Sequence, residues 1–226
     1  EHGTRFPITQ GPMANISDNK DFAKAVYDNG GLPFFALGSL PIEIADTILP
    51  EKSDDLPAFG AGMIGIKAFN PTLDHHLALI KTKHTPFALF AGGIPSQINE
   101  LEACGTRAYL HTPMPGVLKN AFEKGTRRFI LEGNEAGGHI GSLSSMVLWE
   151  VSIETLLDLP SDQRPDVSVL FAGGIISAQG SHFISAMTAL LAREGLKIGI
   201  QLGTAYLFTK EIVESGALTP VYQQVV

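Results

Sequence analysis

Leu131-Glu132-Gly133-Asn134-Glu135-Ala136-Gly137-Gly138-His139-Ile140-Gly141 follows directly on a short apolar run, Arg128-Phe129-Ile130-Leu131. An apolar run of that length reads as a buried strand. What comes next suits no helix or strand interior: two carboxylates, four glycines and one histidine in ten residues. Glycine is used where the backbone takes a positive φ or where something must come close. A Gly-Gly pair ahead of a lone histidine is therefore a loop that lets a ligand approach while presenting an imidazole. The plainer alternative is a Gly-rich turn with a solvated histidine. The rest of the chain decides between them, because a strand feeding such a loop is one unit of a larger pattern.

Seven further apolar runs lie at 6–10, 32–37, 58–66, 86–95, 107–111, 167–175 and 197–204. Helix-like stretches follow at 21–27, 41–49, 71–83, 96–104, 115–124, 144–159 and 179–193, with a polar-apolar tail over 210–226. Ser17-Asp18 offers capping residues for the first helix, and Asn29-Gly30-Gly31 stops it. Uninterrupted alternation of this kind means parallel strands with helical crossovers. Eight such units predict a (β/α)8 TIM barrel, a single domain over 1–226. A doubly wound open sheet is the alternative.

Gly60-Ala61-Gly62-Met63-Ile64-Gly65 spells G-x-G-x-x-G. A dinucleotide fingerprint needs a helix opening within the glycines and an acidic residue at the end of the next strand. Here the helix waits until after Asn70-Pro71, and the next strand ends in Gly92-Gly93. The glycines read instead as a strand passing close to its neighbours or to a ligand. The string Leu-Phe-Ala-Gly-Gly-Ile occurs at 89–94 and again at 170–175, three units apart rather than four. That spacing argues for a shared strand-end requirement and against duplication of half a barrel.

Composition narrows the class. The 226 residues are 44% apolar and 17% charged, a globular balance. A net charge of -7, with no basic cluster beyond Arg127-Arg128, argues against a nucleic-acid surface. The single Cys104 excludes an internal disulfide and reads as a small buried thiol at a helix end. His75-His76 are adjacent and so do not share a helix face, which makes a poor metal pair and leaves at least one solvated. No apolar run reaches membrane-spanning length and no signal peptide opens the chain, so the cytoplasm is the expected compartment.

In a barrel the functional residues lie at the C-terminal ends of the strands. Those ends carry Gly11-Pro12-Met13-Ala14, Gly62, Gly92-Gly93, His111, 132–139, Gly173-Gly174 and Gly203-Thr204. Glycines after the seventh and eighth strands are where barrels commonly hold phosphate, through exposed N–H groups. With a loop at Met13 and a histidine after the sixth strand, the set suggests a phosphorylated planar cofactor across the mouth. Flavin mononucleotide (FMN) fits, its ring against 11–14 and its phosphate in the late nest, with His139 on the substrate side.

Four blocks carry a family resemblance: Gln10-Gly11-Pro12-Met13-Ala14, the 132–141 block, Ala172-Gly173-Gly174-Ile175, and Gly203-Thr204-Ala205-Tyr206-Leu207-Phe208. In order and coverage they resemble the nitronate monooxygenase (2-nitropropane dioxygenase) family, which includes the flavin-type enoyl-ACP reductases. Ala36-Leu37-Gly38-Ser39, Tyr109-Leu110-His111-Thr112-Pro113 and Leu148-Trp149-Glu150 are similar to versions built into polyketide or polyunsaturated-fatty-acid synthases. The resemblance implies a C-terminally short FMN barrel excised from a longer chain, with other synthase domains as partners. It implies His139 as the active-site base, and flavin contacts from Gly11, Pro12, Met13, Ala14, Gly62, Glu132, Gly137, Gly138, Gly173, Gly174, Gly203 and Thr204. Glu135 is read as a carboxylate that orders the loop. Two positions depart from the family pattern: Gly62, where many members carry Asn, and the 92–95 block.

The resemblance implies an FMN-dependent oxidoreductase that oxidises nitroalkane or nitronate-type substrates. An enoyl-ACP reductase domain using NAD(P)H as donor is a second expectation. A non-catalytic docking or scaffold domain is a third. An aldolase or isomerase with Lys67 as a Schiff-base lysine is weaker, since a solvated or flavin-contacting lysine suits that position better.

Overall fold

In the computed structural model, residues 2–38, 40–51, 56–138 and 140–225 are described. Eight parallel strands close into one barrel in sequence order: β1 (Ile8–Gln10), β2 (Leu32–Gly38), β3 (Gly60–Ile64), β4 (Phe87–Ala91), β5 (Arg107–His111), β6 (Arg128–Glu132), β7 (Ser168–Ala172) and β8 (Lys197–Leu202). Closure comes from β1, which pairs with β8 through Ile8 and Ile200 and with β2 through Thr9 and Leu32. The open-sheet alternative is thereby set aside.

Helices α1 (Lys20–Asp28), α2 (Ile42–Ile48), α3 (Leu73–Thr82), α4 (Pro95–Glu102), α5 (Pro115–Glu123) and α6 (Ser145–Leu157) form the crossovers between the first seven strands. The crossover after β7 is two helices, α7 (Ala178–Met187) and α8 (Ala189–Arg193), where a single helix over 179–193 is expected. The break lies at Thr188, whose hydroxyl donates to the Ile184 carbonyl at 2.7 Å. Such back-bonding bends helices. The tail is also more ordered than its composition suggests, with α9 (Thr204–Leu207), α10 (Lys210–Glu214) and α11 (Pro220–Gln223).

Two shells of apolar packing hold the barrel. Leu32, Phe34, Phe87, Leu89, Tyr109, Ile130, Leu170 and Ala172 fill its interior. Alternate residues such as Phe35, Ala61, Phe90, Phe129 and Phe171 face the helices and join the larger outer core. Each fully buried Phe or Leu contributes about 1.5–3 kcal/mol relative to exposure.

The three glycines of the G-x-G-x-x-G string are required by close approach. A Cβ at Gly60 would sit 2.3 Å from the Phe34 ring, at Gly62 2.3 Å from Pro12, and at Gly65 2.4 Å from the Gly93 Cα. No helix opens within them, so the dinucleotide reading fails on geometry.

Local differences from expectation have plain causes. Asn19, not Ser17-Asp18, caps α1, its side chain accepting from Phe22 N at 2.9 Å. Ser17 is instead spent on the preceding loop. Cys104 is exposed, because α4 ends at Glu102 and leaves the thiol in the turn beyond. His75 is exposed, while His76 is buried with Nε2 3.0 Å from the Leu40 carbonyl. Burial holds the His76 imidazole below its ordinary value. Among the described residues no cluster could hold a metal ion, and no helix is long and apolar enough to cross a membrane.

Candidate active site at the barrel mouth

At the C-terminal end of the strands two adjoining cavities open, sharing Pro12, Glu132 and Gln201 as a common wall. One, of about 120 Å³, is bounded by 11–13, 135–137, 172–176 and 203–204. The other, of about 300 Å³, is an apolar well lined by Ala14, Ala36, Gly62, Met63, Ile64, Leu89 and Ala91, with Gly38 and Gly138 at its edge. The residues anticipated from sequence as Gly11, Pro12, Met13, Ala14, Gly62, Glu132, Gly137, Gly138, Gly173, Gly174, Gly203 and Thr204 all line one or both. His139, anticipated as the base, lies outside the described residues.

The smaller cavity has the character of an anion cradle. Gly173 and Gly174 both take left-handed backbone, at φ 102° and 71°. Gly173 N–H faces the β8 ladder at Gln201, while among the described residues the N–H groups of Gly174, Ile175 and Ile176 have no backbone acceptor. Successive unpaired N–H groups around positive-φ glycines make a nest for a negative group. At Gly203 and Gly137 a Cβ would meet nothing within 4 Å, so both backbones border open space.

The cradle is braced from behind. Ser145, first residue of α6, packs so tightly under the loop that a Cβ at Gly133 or Gly173 would come within 2.3 Å of it. Glu135 accepts from Ser145 N at 2.7 Å and from its hydroxyl at 2.5 Å, an interaction that fixes the loop to the N-terminus of α6. Those hydrogen bonds hold the Glu135 carboxyl below its ordinary value. Glu135 therefore has the loop-ordering role expected of it. Trp149 of α6 donates to the Leu131 carbonyl at 3.2 Å and stacks edge-on against Phe171, steadying the end of β6.

The first loop is wound on Ser17, whose hydroxyl accepts from Met13 N at 2.6 Å and donates to Met13 O at 2.9 Å. This tight turn puts Asn15 at φ 62° and lays Pro12 over Gly62. The Pro12 ring thus fills the space that a side chain at position 62 would need.

Two polar side chains, Glu132 and Gln201, stand on the floor among small residues, with His111 beside Glu132. Glu132 ends β6, and burial pushes its carboxyl up to about 7. His111, at the end of β5, is 5% exposed, with Nε2 3.4 Å from the Glu132 carbonyl and 3.8 Å from its carboxylate. Gln201 of β8 is 8% exposed and its Oε1 is buried without a partner among the described residues. A buried acceptor left open costs free energy unless a ligand completes it. Gln201 was not singled out from sequence. Register with the strand-end residue Ala172, which exists only once the barrel closes, places it inside the mouth.

In the sequence His111 is legible only as a strand end. Lys67 is 70% exposed, pairs with Asp74 at 2.7 Å and lines neither cavity, which removes the Schiff-base reading. Around the rim Phe69, Ile94, Met114, Ile176 and Phe208, from the connections after β3, β4, β5, β7 and β8, are each at least 49% exposed.

Cradle, open backbone and unpaired acceptor together suit a phosphorylated planar group such as FMN. The cradle residues would hold its phosphate, the 11–14 loop and Gln201 its polar ring edge.

Known proteins share this barrel. A (3aS,4S,5R,7aS)-5-hydroxy-7a-methyl-1-oxo-octahydro-1H-indene-4-carboxyl-CoA dehydrogenase of Rhodococcus jostii (strain RHA1) is 26% identical over 92% of the chain and 54% of its own length. The chain thus spans about half of that curated relative. FabK from Thermotoga maritima superposes with a TM-score of 0.75 at 25% identity, over 93% of the chain and 61% of FabK. A nitroalkane oxidase from Streptomyces ansochromogenes shares the fold with a TM-score of 0.67 at 22% identity, over 92% of the chain and 68% of its own. The family model for nitronate monooxygenase matches residues 54–221, well over half the chain, and the chain belongs to the nitronate monooxygenase family.

Proposed function

We propose that the chain is the flavin-binding barrel of an FMN-dependent oxidoreductase acting on nitroalkane or nitronate-type substrates. The observation that carries this reading is the unpaired N–H cradle at Gly174–Ile176 opening beside an apolar well on the same barrel mouth. Bound FMN supplies a ring able to take up and release electron pairs. The protein's own part is to hold the phosphate on backbone N–H groups, to seat the substrate in the well, and to move a proton at carbon. The family resemblance gives that last task to His139, since an imidazole titrates near neutrality. It takes the proton from the carbon bearing the nitro group as that carbon becomes a nitronate.

The well itself constrains the substrate. No Lys or Arg lines either cavity among the described residues, so nothing there would neutralise a substrate carboxylate or phosphate. A neutral nitroalkane with an apolar body fits this lining better than its anionic nitronate, whose charge develops only as the proton leaves.

A second reading is favoured by the rim. Its exposed Phe69, Ile94, Met114, Ile176 and Phe208 offer an apolar path into the well, which suits an acyl chain presented on a carrier. On that reading the chain is an enoyl reductase domain drawing hydride from NAD(P)H and working beside other synthase domains.

The test is to purify the protein, record its visible spectrum, and identify the chromophore released on denaturation. Bound or rebindable FMN is expected. Turnover with nitronates and with NAD(P)H plus an enoyl thioester then separates the two readings. His139→Ala is expected to lose at least a hundredfold in nitroalkane turnover while keeping flavin. A protein that takes up no FMN would leave the docking or scaffold reading in place of both.

A further inference from the structure

We propose that Glu132, standing beside His111 on the floor of the mouth, ties binding of a phosphorylated ligand in the cradle to uptake of one proton. The inference rests on the FMN reading above and adds a control on that same site.

The geometry begins with what surrounds the cradle. Its ionisable lining, among the described residues, is Glu132 and Glu135 alone. Glu135 is spent on Ser145 N and Oγ and stays ionised. An incoming phosphate therefore meets backbone N–H groups, one fixed negative charge, and Glu132. Like charges in a half-enclosed site repel, and water screens them poorly there.

The groups facing Glu132 can be named element by element. From β5 comes His111, at 3.8 Å from the carboxylate. From the loop after β6 comes Glu135. From β7, β8 and the loop after β1 come Ala172, Gln201 and Gly11, none ionisable. His139 of the same loop lies outside the described residues.

Two protonation states of the floor suit an anion: a neutral carboxyl, or a carboxylate beside an imidazolium. Either carries one proton more than the state of neutral imidazole and free carboxylate, which opposes the phosphate. Burial already favours the neutral carboxyl near pH 7. Coupling of this kind is reciprocal, so the ligand raises proton affinity by the factor by which the proton raises ligand affinity. The pair acts by charge, and Glu132 is a positioning residue rather than a catalytic one.

The experiment measures FMN affinity by quenching of flavin fluorescence, for the unaltered protein and Glu132→Gln, between about pH 6.5 and 8.5. FMN phosphate is largely dianionic through that range. For the unaltered protein FMN binding should weaken roughly tenfold across it. For Glu132→Gln the affinity should change less than about twofold, staying tight at the alkaline end. Riboflavin, which lacks the phosphate, should show a shallow dependence on both proteins. Calorimetry of FMN binding to the unaltered protein near pH 8, in buffers of differing ionisation heat, gives a second readout should the variant misfold. Uptake of close to one proton is expected there, and none would overturn the proposal. Equal pH slopes for the two proteins would overturn it while leaving the flavin reading intact. Failure of either flavin to bind either protein at the acid end would overturn the flavin reading, and this inference with it.

Discussion

The same six residues, Leu-Phe-Ala-Gly-Gly-Ile, end β4 at 89–94 and β7 at 170–175, and they do different things. At β4 the glycines are consumed by packing. A Cβ at Gly93 would lie 2.6 Å from the Phe90 Cβ, and Gly93 is itself the surface against which Gly65 is pressed. Gln97 then seals that corner, accepting from Ile94 N at 2.8 Å and donating to Gly65 O at 2.9 Å. Helix α4 starts at once, at Pro95, and leaves no loop to present.

At β7 the helix begins only at Ala178, and the extra residues leave room. Gly173 is tight against the Ser145 hydroxyl on one side, but Gly174 has nothing nearer than the Glu135 Cβ, at 3.5 Å. The N–H groups of that loop are left open to the cavity. A hexapeptide thus carries no role of its own. The neighbouring loop and the distance to the next helix decide whether its glycines close a contact or open a cradle.

Breaking the β7 copy should have the largest effect. Gly173→Ala places a methyl group 2.3 Å from Ser145 Oγ on backbone at φ 102°. It is expected to destabilise the fold by about 3 kcal/mol and to abolish FMN retention. Thermal unfolding and flavin content of the purified variant check both together.

Next in size is the effect of the acid that pairs across from the β7 copy, Glu132 opposite Ala172. Its carboxyl titrates near 7 in the fold against 4.5 in an unfolded chain. The sign follows from the direction of that shift: stability is fully present below pH 4.5 and is lost as pH rises to about 7. Glu132→Gln should therefore match the unaltered protein in denaturant unfolding near pH 4.5 and exceed it by on the order of 2–3 kcal/mol near pH 8. Parallel stability curves across that range would contradict the buried-acid assignment.

The smallest effect belongs to the β4 copy. Gly93→Ala must push aside Phe90 and Gln97 but needs no left-handed backbone. A loss of about 1–2 kcal/mol is expected, with FMN affinity within about twofold of the parent. If this variant released FMN as completely as Gly173→Ala, the division of labour between the two copies would be wrong.

Much of this was legible in the chain. β5 is found at the run read from sequence, and most other strands within one or two residues, because a short apolar run flanked by turn residues has few alternatives inside a parallel barrel. The mouth residues were legible because barrel topology sends every strand end to one rim. What stayed hidden depended on partners distant in sequence. Gln201 looks like any polar residue in a strand until closure against β1 turns it inward beside Gly11. Ser17 looks like a helix cap and Ser145 like an ordinary helix residue, and both became loop anchors once Met13 and Glu135 folded onto them. Cys104 seemed buried because its helix was read two residues too long.

By itself, then, the sequence determined the eight-fold alternation, the barrel, and the glycine-rich ends that crowd its mouth, since these follow from local pattern and chain connectivity. Only the tertiary structure decided which glycines are packing and which are cradle, that Glu132 and Gln201 share one wall, and that His111 stands beside Glu132. Those outcomes are set by close approach and burial between strands far apart in the chain, and neither quantity exists before the barrel closes.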